Sequence, residues 1–468
     1  MFGILFYAIL LFFRNTQLFQ RIKLNKFILL PFFLWISIAL IGLLKGNLTQ
    51  GLGELKTLIP FAFAPFFFLA FPKLKLPLIY TGFVVGVFIS LTISSGYALW
   101  HYPLPDPRNA SIFISHIRLS LFASFALYLL LQAPFPRKSL AVIAFSFSLL
   151  SFLLLTATLS GWFFLFVTLL VHLYAKHRKF ILLSSLLALG IICFISIRFY
   201  LTTSAHCSSG NTLTATANGN NYDYAAPSHQ TENNHFVFQN ICENEVKSAW
   251  LTRTGNTTEA KDTRNQTTYN TLIRYLTSKG LAKDSLGVFR LSNADIELIK
   301  QGYTNINEPS RTPLDQRYHQ LVYEFQVFLD NGNATGHSIF QRLHYYKAAA
   351  LIIQQSFPLG VGIGNVKPAY KNAYIALNSN LDTDHQHAVH NQFLSYLILG
   401  GIIPFVLFGL YFWFGWKESS SMGLFEASAV KVFLALAFAS CLSEDTLTTQ
   451  PGVAFFAVFT AIFFSRKN

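Results

Sequence analysis

Charged side chains are scarce in this chain. They make up 12% of its 468 residues, against 52% hydrophobic ones. A soluble protein of this length exposes more charge, so the deficit argues against an ordinary soluble fold and places the chain with membrane proteins. Cysteine is sparse too, with four in all. Cys193 lies within an apolar run and Cys441 near the end of another, whereas Cys207 and Cys242 share a polar region. An oxidising compartment would let those two close a loop; two free thiols is the equal alternative. No basic stretch opens the sequence and no small-residue cleavage site follows Met1–Phe13, which argues against a signal peptide. No Walker-type lysine follows the glycines of Gly360–Asn365, and a dinucleotide site would need a strand before them. These glycines read as a tight turn, whose amides offer an anion site as the alternative. No internal repeat is evident.

Apolar sequence is what abounds. A spanning helix takes about 20 mostly apolar residues. Such runs cover Phe27–Leu44, Thr57–Phe71, Leu78–Leu99, Ile117–Leu131, Ser139–Leu155, Leu159–Ala175, Phe180–Tyr200, Asn391–Trp416, Gly423–Leu442 and Gly452–Phe464. With Met1–Phe13 as a shorter first one, they predict an all-α polytopic membrane protein of about eleven (roughly 10–12) transmembrane helices.

The net charge of +14 would suit a nucleic-acid partner, but its distribution argues against one. Residues 201–389 hold 15 Lys+Arg against 15 Asp+Glu, which leaves 20 against 6 for the remainder. The excess therefore borders the apolar helices, where membrane insertion reads it. Arg14, Arg21, Lys23 and Lys26 share one loop. Lys73 with Lys75, Arg137 with Lys138, and Lys176 with Arg178 and Lys179 each fall two helices further on, and Lys417, Arg466 and Lys467 continue the series. Basic loops stay in the cytoplasm. That rule puts residues 201–389 outside, with the loops around 45–56, 101–116 and 443–450 and the N-terminus. The expected division is residues 1–200 with eight helices, 201–389 as a large outer domain, and 390–468 with three.

Within the outer segment, Thr202–Asn234 is rich in Ser, Thr, Asn, Gly and Ala and is expected to be mobile, because it has too few apolar residues to fold alone. From about Thr267 to residue 380 the pattern is helical. Leu272, Ile273 and Leu276 recur at helical spacing before Gly280, and Ser292 with Asp295 resembles a capping box. Asp315–Leu329 and Ser338–Gln355 read as two longer helices.

Asp382–Asn391 is the segment richest in chemistry: His385, His387 and His390 stand with Asp382 and Asp384 where the chain re-enters the membrane. Three readings stay open. The histidines could ligate a metal, one could act as a general base, or the segment could be a polar helix cap. His116 and Arg118 end an apolar run on the same side, Arg198 ends another, Arg342 precedes the glycine turn, and Glu444 and Asp445 occupy the last outer loop. Arginine forks bind phosphates in a way lysine does not match. A base with arginines at a lipid interface suits a lipid-linked phosphate.

Three pieces of this sequence resemble the O-antigen ligase family of bacterial membrane glycosyltransferases, which includes O-antigen polymerases and protein O-oligosaccharyltransferases. They are Arg342–Ala348, Phe357–Asn365, and His390-Asn391 followed after nine residues by Gly401. Ser443–Leu447 with Gln450–Gly452 also looks like a subgroup of it. The resemblance implies a GT-C-like fold in the bacterial inner membrane with a periplasmic active site. It implies metal-independent, inverting transfer of a glycan from undecaprenyl diphosphate to a lipid A-core hydroxyl, with no cofactor. By position, His390 would be the base and Arg342 would hold the donor diphosphate. The family often has Ser-Arg where this chain has Ser160-Gly161, so Arg198 and Arg118 are the candidates for a second donor arginine. Asn391, Gly362, Gly364, Glu444, Asp445 and His116 are expected to support the site.

Overall fold

The computed structural model describes residues 26–70, 75–101, 104, 106–132, 138–176, 196–198, 213–223, 228–332, 334 and 338–464. Met1–Phe13, Cys193, Cys207 and all but one turn of Phe180–Tyr200 lie outside the described residues. The pairing of Cys207 with Cys242 therefore does too; Cys242 is a buried free thiol.

The described residues are mostly helical. In chain order they form α1 (Leu29–Leu44), α2 (Leu52–Thr57), α3 (Ile59–Ala70), α4 (Leu76–Trp100), α5 (His116–Gln132), α6 (Lys138–Thr156) and α7 (Leu159–Lys176). A two-stranded antiparallel ribbon follows, β1 (Thr231–Glu232) with β2 (His235–Phe236). Then come α8 (Glu243–Thr254), α9 (Thr268–Ser278), α10 (Ser285–Phe289), α11 (Asn293–Lys300) and α12 (Pro313–Asn331). The last six are α13 (Ser338–Ser356), α14 (Val366–Ala376), α15 (Gln392–Gly400), α16 (Ile402–Ser419), α17 (Leu424–Ser443) and α18 (Gln450–Phe464).

The chain divides into two compact units. One comprises Met1–Trp100, Arg108–Ser185 and Gln341–Asn468; the other comprises His101–Pro107 and Leu186–Phe340. Composition alone draws this boundary at Val389. The structure instead gives residues 341–389 to the unit of apolar helices, because hydrogen bonds described below stitch them to α15.

In the first unit, Leu52–Leu69, Leu76–Trp100, Lys138–Thr156 and Leu424–Ser443 are long and apolar enough to cross a membrane. Leu29–Leu44, His116–Gln132, Leu159–Tyr174 and Gln450–Phe464 are apolar but shorter. Phenylalanine fills the space between helices. Phe125 of α5 meets Phe459 of α18 edge-on at 4.8 Å, and Phe122 stacks on Phe455 at 4.9 Å. Edge and offset contacts of this kind suit the ring quadrupole, and lipid offers helices no hydrophobic drive of its own to associate. Small residues set the close approaches. A Cβ on Gly161 of α7 would lie 2.3 Å from Leu153 and 2.7 Å from the Ser120 hydroxyl of α5, so any larger residue here would have to displace these neighbours.

The run Asn391–Trp416, expected as one helix, is two. It breaks at Gly401, whose φ of 71° and ψ of −153° suit glycine alone. The break leaves the carbonyls of Ile398 and Leu399 without helical partners, a costly condition for polar groups kept from water. The glycine turn supplies the missing donors: Val361 N–H bonds Ile398 O at 2.8 Å and Gly362 N–H bonds Leu399 O at 3.0 Å. Ile402 N–H bonds Pro358 O at 2.9 Å. Buried Asn47 locks the turn from the far side, giving Nδ2 to Val361 O and taking Gly364 N–H on Oδ1, both at 3.1 Å. The amides of Val361, Gly362 and Gly364 are thus committed within the protein, which favours the structural turn over the anion site.

The second unit has its own core. Leu272, Ile273 and Leu276 of α9 are buried with Trp250 of α8 and Ile296 and Ile299 of α11. The expected capping box at Ser292 and Asp295 is present. Helix α8 is an addition to the sequence reading, although its acidic first turn and its Gly255 in the left-handed region are ordinary helix signals. Two described parts of Thr202–Asn234 are tied down by carboxylates instead of apolar contacts. Glu245 accepts from Thr216, Asn220 and Ser285, and Asp330 accepts from Ser228, His229 and Gln230. A search for apolar spacing misses such anchors.

Gly401→Ala tests the break. An added Cβ would meet Pro358 O at 1.9 Å, and backbone strain alone costs about 1–3 kcal/mol. The expected result is a lower thermal unfolding midpoint for the purified protein in detergent; an unchanged midpoint would contradict the account.

Candidate active site

Three tyrosines build the site by fixing the backbone that carries the histidines. Tyr345 of α13 gives its hydroxyl to His385 O at 3.0 Å, and Tyr374 of α14 gives its hydroxyl to His387 O at 2.6 Å. Tyr370 accepts Val389 N–H at 3.0 Å. Alternate residues of the segment are therefore held through their main chain. Asn391 then starts α15, with Oδ1 accepting Leu394 N–H at 3.1 Å and Nδ2 reaching Leu442 O at 3.1 Å. The polar helix cap is Asn391, which leaves the His390 ring for other contacts. That ring lies edge-on to Tyr345 at 5.7 Å between centroids. Among the described residues, no three of His, Cys, Asp and Glu converge as a metal site.

Arg342 reaches this region from α13. Its Nη1 donates to Ser443 O and its Nη2 to Glu444 Oε1, both at 3.0 Å. Glu444 is mostly buried and Arg342 about one-third exposed, at 13% and 35% of the side chain. The charges around His390 come from two helices, the loop after α17 and its own segment. Burial pulls its pKa below the usual imidazole range; Glu444 pushes it back up, and Arg342, His387 and Arg118 pull it down. Arg118 of α5 lies in the field of Glu444 and Asp445, and its Nε is buried with no hydrogen-bond partner among the described residues.

Asp445 anchors the start of α15. Its Oδ1 accepts Asn391 N–H at 3.1 Å and the Ser395 hydroxyl at 2.9 Å. Burial pushes its pKa up to about 7; the Ser395 hydroxyl, the Asn391 amide and Arg118 oppose the shift, while Glu444 adds to it. Below it, Gln392 takes Leu447 N–H on Oε1 at 2.8 Å. The segment that enters α15 and the loop that leaves α17 are thereby one hydrogen-bonded piece.

No protein-family model and no curated protein matches this chain.

The structure brings together His390, Arg342, Arg118, Glu444, Asp445 and Asn391. Gly362 and Gly364 serve the turn that closes the helix break. His116 opens α5 two residues before Arg118, and its carbonyl accepts from Ser120 Oγ at 2.8 Å. Arg198 belongs to the other unit, where it bonds Asp315 at 3.1 Å and covers the Tyr318 ring. Arg118, the other arginine considered as a second phosphate ligand, shares the first unit with His390 and acts on its charge. Sequence reasoning did not single out Tyr345, Tyr370, Tyr374, Gln392, Ser395 or Asn47. They bond groups distant in sequence, main-chain ones in every case but Ser395, and such a role leaves no local pattern.

Asp445→Asn gives a pH test. A carboxyl whose folded pKa of about 7 exceeds the unfolded value of about 3.9 stabilises the fold below the lower value. That stability is lost as pH rises through the upper one. Asparagine keeps an oxygen acceptor for Asn391 and Ser395 without the charge. The variant should therefore gain stability relative to the native chain between pH 5 and 8, by on the order of 2–4 kcal/mol. Parallel melting profiles over that range would contradict the assignment.

Proposed function

We propose that the chain is an O-antigen ligase-type glycosyltransferase of the bacterial inner membrane. In this reading about eleven helices span the bilayer, and the polar loops around α15 face the periplasm, as the alternation of basic loops requires. The observation that carries the reading is the placement of His390 within reach of two guanidinium fields, Arg342 and Arg118.

The chemistry follows from that arrangement. The donor brings a diphosphate with its glycan, and two guanidinium forks, one of them shared with Glu444, offer cationic donors to receive it. Arg342 spends one N–H on Glu444 and one on Ser443, and a guanidinium has five. Arg118 Nε has no partner to give up. His390, neutral because burial and two cations disfavour its charged form, takes the proton of the acceptor hydroxyl. The acceptor oxygen attacks the anomeric carbon from the face opposite the phosphate, the glycosidic C–O bond breaks, and the diphosphate leaves with inverted configuration at carbon. The arginines stabilise the charge developing on the leaving group, a large catalytic effect in a water-poor site.

An O-antigen polymerase or a protein O-oligosaccharyltransferase would use the same groups with a different acceptor hydroxyl. A polysaccharide transporter or flippase is a further reading, and the helix break at Gly401 favours it, since broken helices mark transporter sites. Against it, the carbonyls that the break frees at Ile398 and Leu399 are taken by protein donors.

His390→Ala should lower transfer by about 100-fold or more while leaving the protein in the membrane. Near-normal transfer would reject the base, and with it the glycosyltransferase mechanism as written. Deleting the gene separates the acceptors: free long chains on the lipid carrier indicate a lost ligase, and single repeats on the core indicate a lost polymerase. Normal lipopolysaccharide with unglycosylated proteins would shift the reading to protein glycosylation.

A further inference from the structure

His390 has a difficulty as a base. When it accepts a proton, an imidazolium forms in a largely buried place that already faces Arg342 and Arg118, with His387 beside it. Burial and both arginines oppose that charge. A base so placed needs a counter-ion, or its proton affinity falls below what a sugar hydroxyl demands. Two carboxylates are at hand. Asp445 is poorly suited: burial keeps it near half-protonated at neutral pH, and its Oδ1 is taken by Asn391 N–H and the Ser395 hydroxyl. Glu444 is the other. It accepts Arg342 Nη2 on Oε1 at 3.0 Å, the bond from Asn391 N–H to Asp445 Oδ1 at 3.1 Å ties the residue after it to the residue after His390, and its charge is the one that favours a protonated His390.

We infer that Glu444 is a positioning residue with two partners: it aims the Arg342 guanidinium, and it is the counter-ion for the imidazolium formed at His390. The carboxylate sits between a permanent cation and a transient one. Before reaction it neutralises Arg342. When the donor diphosphate engages Arg342, a second anion shares that guanidinium, and Glu444 is freer to act on His390 at the moment its proton arrives. The neighbouring Ser443 carbonyl, bonded to Nη1 at 3.0 Å, keeps the arginine in place during that exchange. No bond to Glu444 is made or broken. The inference rests on the reading of His390 as the base.

The test uses the full chain in nanodiscs, with Glu444→Gln, which keeps an oxygen acceptor for Arg342 and removes the charge. Two readouts are taken. The first is the titration of His390 by NMR of histidine-labelled protein, assigned with His390→Gln. The second is the pH profile of transfer from a lipid-diphosphate-linked glycan. The neutral imidazole is the active form, so the acid limb of the profile follows the His390 pKa. Loss of Glu444 should move both the titration and the acid limb to lower pH by about half a unit or more, with kcat reduced several-fold and the donor KM changed less. A merely structural ion pair would lower transfer with neither curve displaced, and that result overturns the proposal. The double variant Arg342→Gln with Glu444→Gln removes opposing influences, so its His390 titration should return toward the native one. It serves in place of the single variant should that fail to accumulate, and a titration still displaced to lower pH would count against the proposal. The NMR titration needs no activity, so it stays decisive even if His390→Ala retains transfer and the base reading fails.

Discussion

The hydrogen bonds from Arg342 to Ser443 O and Glu444 Oε1 hold the candidate site of the first unit together. They join α13 to the loop between α17 and α18. Asp445, next in the chain, joins the same loop to Asn391 and Ser395. One dipeptide thus connects the helix that carries the candidate phosphate ligand to the helix that begins beside the candidate base. A guanidinium can do this because its donors diverge in a plane and can serve a carbonyl and a carboxylate at once. A lysine in its place would be a point charge with no fixed direction.

A second constraint lies deeper. Breaking a helix at Gly401 shortens α15 to nine residues, which lets His390 and Asn391 sit where they do at its start. The break exposes two carbonyls, and the glycine turn answers with two amides. Gly360 and Gly362 have positive φ values, and the Cβ of any other residue at Gly362 would lie 2.5 Å from the Asn47 side chain. The glycines are therefore required by close backbone approach. The spacing from His390 to Gly401, which looks like a signature of chemistry, is also the length of a half-helix.

Much of this was legible in the sequence. Apolar runs gave most of the described helices of the first unit within a few residues, because length and hydropathy nearly determine a helix in a membrane. The capping box at Ser292 was readable for a similarly local reason. His390, Arg342, Glu444 and Asp445 could be gathered in advance because polar groups at the end of an apolar run are rare enough to notice. The break at Gly401 was hidden, since the run stays apolar through it and only the distant turn reveals why it is tolerated. The tyrosine anchors and Asn47 were hidden too, as long-range side-chain bonds carry no periodicity. Arg118 and Arg198 looked alike in sequence, each at the end of an apolar run, and only folding separated them into different units.

The most direct measurement is a structure of the full protein in nanodiscs with a lipid-diphosphate-linked glycan bound. The account predicts phosphate oxygens within hydrogen-bonding distance of Arg342 and Arg118, with the anomeric carbon on the side that His390 faces. A diphosphate bound elsewhere, with His390 and Arg342 both clear of it, would contradict the account.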